Sequence, residues 1–72
     1  MNNLTMYEIS YIKCMLLDEL KKPFTIKSDS NTNILVIEDM KDAKMALNVL
    51  YVLSYKTALH NPDNTIFEIL FN

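Results

Sequence analysis

Cys14, His60 and the acids Glu38, Asp39 and Asp42 are the residues whose types suit chemistry, and each lacks the second group that its chemistry would need. A nucleophilic cysteine needs a histidine or a cationic neighbour to favour the thiolate. The one histidine comes near the far end of the chain, and no third, orienting group stands out. A metal site built on His60 and Asp63 would need more ligands than the sequence offers. Glu38, Asp39 and Asp42 match a general acid/base set by type, but they fall where a helix is expected to begin, and helix N-termini collect acids. There is no glycine anywhere, so a backbone cradle for phosphate is not expected, and no Cys-x-x-Cys pair or Ser-His-Asp order occurs. These residues predict no enzyme, no metal and no cofactor. Cys14 reads as a semi-buried packing residue. His60 reads as a residue in the last turn of a helix, where an imidazolium would complement the dipole.

Tyr7, Tyr11 and Met15 carry a different signal. Aromatic residues and methionine are enriched where proteins bind proteins. Tyr7 and Tyr11, one helical turn apart, share a face with Cys14 and Asp18, opposite the expected core. Tyr7, Tyr11 and Met15 are the residues that this reading assigns to partner binding.

Composition narrows the classes. The chain has 72 residues, a net charge of −2, seven lysines, no arginine and nine acids. Nucleic-acid binders show a basic excess and use arginine for bidentate contacts, so nucleic acid is not the expected partner. The longest unbroken apolar run, Val49 to Leu53, is far below the ~18–20 residues that a bilayer span needs. The opening Met-Asn-Asn-Leu-Thr has no basic region leading into an apolar one, so no secretory signal is expected. These features predict a soluble protein of the cytoplasm with Cys14 reduced. No Gly or Arg, few Ala and Pro, and many Asn, Lys, Ile, Tyr and Phe match AT-rich codons. Small proteins from AT-rich genomes include many phage and mobile-element accessories.

The elements that would position these residues can be taken in order. The first four residues are expected to fray. Thr5-Met-Tyr-Glu8 has the form of a capping box and predicts a helix over residues 6–21, stopped by Pro23, with Lys21 and Lys22 at its C-terminal dipole. Ile9, Ile12, Leu16, Leu17 and Leu20 fall on one arc, with Met6 at its edge, and predict the core face. Phe24-Thr-Ile-Lys-Ser28 alternates like a half-buried strand, Asp29 to Asn33 is a polar turn, and Ile34-Leu-Val-Ile37 is a continuously apolar strand. Asp39 is the expected N-cap of a second helix over residues 40–59. Asn61-Pro-Asp-Asn64 marks a stop, and Thr65 to Phe71 a last strand.

The expected fold is α+β, one domain over residues 1–72, in two layers with order α-β-β-α-β. A three-stranded, mainly antiparallel sheet of order 2-1-3 would carry both helices on one face. A 20-residue second helix would span ~30 Å against ~17–20 Å for the strands, leaving apolar overhang. Apolar residues also sweep about two-thirds of its wheel, beyond the ~100° stripe of an ordinary surface helix. So small a chain without staples is often reinforced by association. Met45, Val49, Val52 and Leu53 are therefore assigned to a homodimer interface.

The function expected from this surplus is non-enzymatic protein binding: a phage or mobile-element inhibitor or modulator that acts stoichiometrically on a host protein by occlusion. The alternative is a small dimeric nucleic-acid-binding regulator using Lys41, Lys44 and Lys56 from paired helices.

Overall fold

The computed structural model describes residues 4–28, 32–63 and 65–72. Its first element, α1, is Met6–Glu19, and the capping box that starts it is complete. The Thr5 amide donates to Glu8 Oε1 at 2.7 Å, and the Glu8 amide donates to Thr5 Oγ1 at 3.1 Å. Two of the helix's orphan donors are thereby satisfied within one turn. Ile12 and Leu16 are the buried residues of its inner face, while Leu17 at the margin of the arc is 70% exposed.

The helix ends at Glu19 rather than at residue 21, and the reason lies elsewhere in the chain. The Lys21 amide donates to Asp42 Oδ1 and Oδ2 at 3.1 and 3.2 Å, and the Lys22 amide donates to Asp42 Oδ2 at 2.9 Å. With those two amides held by a distant carboxylate, a further turn of helix has no donors. Pro23 supports the exit, since a residue preceding proline disfavours the helical conformation.

Strands β1 (Phe24–Ser28) and β2 (Asn33–Ile37) form the expected antiparallel hairpin, Phe24 opposite Ile37 and Ser28 opposite Asn33. Residues 29–31 of the expected turn lie outside the described residues. Asn33 belongs to β2 rather than to that turn. It is buried, its Oδ1 accepting from Ser28 Oγ at 3.0 Å and its Nδ2 donating to the Phe71 carbonyl at 3.3 Å. One amide side chain thus ties three strands at the same end of the sheet.

Helix α2 spans Met40–Val52. Asp39 is its N-cap, as expected, accepting from the Asp42 amide at 3.1 Å. The expected run to residue 59 is corrected by the chain itself at Ser54, which takes a left-handed conformation with φ 70°. The Ser54 amide donates to the Tyr51 carbonyl at 2.9 Å and the Tyr55 amide to the Leu50 carbonyl at 3.0 Å. That is the Schellman pattern, in which a residue that is usually glycine reverses the chain and its successor folds back onto the last turn. Here Tyr55 packs against the core, its ring edge-on to Phe71 with centroids 5.9 Å apart. Burial, and then the negative charge of Glu8, push its hydroxyl above the usual tyrosine pKa.

Two strands follow, not one: β3 (Thr57–Asp63) and β4 (Ile66–Phe71). The sheet is four-stranded and antiparallel throughout, with order β1-β2-β4-β3. The expected three-stranded α-β-β-α-β arrangement is thereby corrected to α-β-β-α-β-β. The last strand lies beside β2 rather than β1. The α+β class and the two-layer form hold. The predicted helix overhang disappears, because 13 residues of helix span about 20 Å, close to the strands' own length.

The core lies on one face of the sheet. Leu35 and Ile37 of β2 and Phe67, Ile69 and Phe71 of β4 meet Ile12 and Leu16 of α1 and Ala43, Ala46, Val49 and Leu50 of α2. Among the described residues no helix covers the other face, where Ile34, Val36, Ile66 and Leu70 are half-buried.

Candidate protein-binding surface

Each outer side chain of α1 is placed by the rotation that Ile12 and Leu16 impose. With those two pointing into the core, Tyr7 and Tyr11 must point away from it. Tyr7 is 89% exposed, and Tyr11 and Met6 are exposed beside it. Met15 turns toward the domain's own core and is half-buried there. The structure therefore keeps Tyr7 and Tyr11 together and separates Met15 from them. Leu17, which the periodicity assigned to the core, joins the outer face instead. Its place on the margin of the arc was the available signal.

The face continues into a groove. Lys13, Leu17, Leu20 and Lys21 of α1 and its exit, with Lys22, Pro23 and Phe24, line an open depression of about 560 Å³ between the helix and β1. Leu17, Leu20 and Phe24 give it apolar walls, and lysines rim it. Lys22 is engaged with Asp39, Nζ to Oδ1 at 3.6 Å. Among the described residues neither Lys13 nor Lys21 has an ion-pair partner.

The second assigned surface divides. Val49 is buried and Leu53 half-buried in the domain's own core, while Met45 and Val52 are exposed on α2. The buried arc of α2 runs through Asp42, Ala43, Ala46, Val49 and Leu50, the width of an ordinary amphipathic stripe. Its remaining apolar residues form two flanks, Met45 with Val52 and Met40 with Tyr51, separated by Lys41, Lys44 and Asn48 on the wheel. The three lysines of the nucleic-acid alternative do not share a helix. Lys56 lies beyond α2, its backbone paired with Asn72 at 3.0 and 3.1 Å.

The chemical candidates are dispersed. Cys14 is exposed on the outer side of α1, not semi-buried. His60 is not in a helix. It stands on β3, Nδ1 to Glu68 Oε1 at 3.2 Å, on the helix-free face of the sheet. The whole domain thickness separates it from Cys14. Glu38 is exposed, Asp39 caps α2, and Asp42 is 4% exposed and engaged by the α1 exit. The role of Asp42 in joining two elements has no local sequence signal. Its partners are backbone amides that any residue pair could supply. Hydrogen bonds from the Asp42 backbone, with the positive charge of Lys22, hold Asp39 below the ordinary aspartate pKa. Asp63 is held down too, by the hydroxyl and amide of Thr65.

Among the described residues no three His, Cys, Asp or Glu side chains are grouped to hold a metal ion, and no helix is long and apolar enough to cross a membrane. Compared with protein-family models, with curated proteins and with solved structures, the chain matches none.

Proposed function

We propose that this chain is a protein-binding module without catalytic activity, acting stoichiometrically by covering a surface of another protein. The observation that supports this reading is the outer face of α1, where Met6, Tyr7, Tyr11 and Leu17 are all exposed and Leu17 borders a groove. Large exposed apolar side chains gathered on one face mark interaction sites more often than scattered ones do. Tyrosines in particular act as anchors, since each buries a large ring at the loss of few rotamers. The AT-rich codon bias behind the composition favours a phage or mobile-element protein acting on a host factor. The same surplus gives α2 a smaller face, Met45 and Val52, for pairing with a second copy.

Capture from a bacterial host extract tests the reading. The intact chain should recover one dominant protein, and Tyr7→Ala with Tyr11→Ala should lose it while the thermal unfolding midpoint stays unchanged. Recovery of nucleic acid that nuclease removes would overturn the reading.

A further inference from the structure

The sheet has two edges, and they are not alike. At one edge, β3 carries Pro62 and a register shift between His60 and Asp63. Proline removes a ladder donor and a bulge twists the edge away, and both guard against pairing with another chain. At the other edge, β1 has neither device over its five residues, Phe24-Thr-Ile-Lys-Ser28. Among the described residues, its backbone makes no hydrogen bond beyond its ladder with β2. Alternate residues of such a strand turn their N–H and C=O away from the sheet, ready for one more strand.

The groove beside α1 reaches this edge at Phe24, the first residue of β1. A strand added to β1 would set alternate side chains toward the helix layer, against Leu17, Leu20 and Phe24, under Lys13 and Lys21. The lining of the groove holds Lys13, Lys21 and Lys22 and no carboxylate. Of the acids beside it, Asp39 is engaged by Lys22 and Asp42 by the Lys21 and Lys22 amides, which leaves Lys13 and Lys21, among the described residues, as the cations without an ion-pair partner.

We infer that β1 accepts an extended, acidic segment of a partner protein as a fifth strand, with apolar side chains of that segment in the groove and its carboxylates against Lys13 and Lys21. This deepens the protein-binding reading and rests on it. A second copy of the chain is the poorer occupant. A two-fold pairing of β1 with β1 would bring the two α1 flanks together, lysines facing lysines, and like charges brought together repel.

The test uses two synthetic peptides, a blocked Glu-Thr-Val-Thr-Ile-Thr-Asp, whose acidic and aliphatic side chains share one face of a strand, and a control with lysine at both acidic positions. Each is titrated into the isotopically labelled protein and followed by amide resonances. The acidic peptide should give saturable shifts at residues 24–28 and at Lys13, Leu17 and Lys21, and should slow hydrogen exchange within β1. Lys13→Glu with Lys21→Glu should weaken that binding at least tenfold, and both side chains are exposed, so the fold should persist. Equal response to the two peptides, shifts confined to β3, no shifts at millimolar peptide, or β1 protection that grows with protein concentration alone would each overturn the inference. If host capture succeeds but is indifferent to the lysine reversals, the edge inference fails and protein binding stands. If capture itself fails, the broader reading goes with it.

Discussion

Removing the Asp42 carboxylate should come close to unfolding the domain. Asp42 is 4% exposed and holds the amides of Lys21 and Lys22 at 2.9 to 3.2 Å. A hydrogen bond to a charged acceptor contributes about 1.5–3 kcal/mol. The two amides are only part-buried, so water recovers some of that in an alanine variant, and the lower end applies to each. Asp42→Ala should then cost about 3 kcal/mol, before any loss of its charge at the helix N-terminus. A single core at this chain length supplies about 3–5 kcal/mol net. The variant should therefore retain about 2 kcal/mol at most and show a visible unfolded fraction near room temperature. Asp42→Asn keeps one acceptor oxygen and should cost about half as much. Urea unfolding of the parent and both variants, followed by far-ultraviolet circular dichroism at 25 °C, measures all three. An alanine variant within about 0.5 kcal/mol of the parent, the range of an ordinary surface substitution, would refute the argument. So would an asparagine variant less stable than alanine.

Three further outcomes follow from the same geometry. Ser54→Gly should stabilise the domain by about 0.5–1 kcal/mol, because glycine takes the left-handed conformation at φ 70° without a Cβ conflict, and the melting temperature should rise by about 2–8 °C. Thr5→Ala removes the hydroxyl that accepts the Glu8 amide and should cost about 1 kcal/mol in a thermal melt. The folded-state pKa values of Asp39 and Asp63 lie below their unfolded values, so their contributions are present above about pH 4 and are lost as pH falls through the folded values. The urea midpoint should fall from pH 5 toward pH 2, and the fall should be smaller in Asp39→Asn.

Elements with a local chemical signature were legible in the sequence. Thr5 and Glu8 announce the start of α1, Asp39 that of α2, and the run after Asn33, apolar on both faces, a strand that is central or doubly covered; the sheet places it centrally, between β1 and β4. The errors arose where the signal was absent or distant. The end of α2 needs a left-handed residue, and in a chain without glycine that role falls to Ser54, whose identity does not advertise it. In the sequence alone the helical pattern therefore continues through Leu59. Strand β3 has no buried residue to give it a period of two, because it lies at the edge of the sheet with a neighbour on one side alone. Its place is fixed by pairing with β4 and by the Lys56–Asn72 bonds, which are non-local. Shortening α2 also moved Val49 and Leu53 from a supposed interface into the core. On α1 the legible part was the outer face: Tyr7 and Tyr11 stand where the periodicity placed them, while Met15, at the other margin, turns inward.

The proposed binding of protein by the outer face of α1 is tested most directly by capture from host extract with the parent chain and with the Tyr7→Ala, Tyr11→Ala variant side by side, at equal folded concentration. One dominant protein should be recovered on the parent and at least tenfold less of it on the variant, with matching melting curves. Equal recovery of that protein on both, or nothing recovered but nuclease-sensitive nucleic acid, would contradict the proposal.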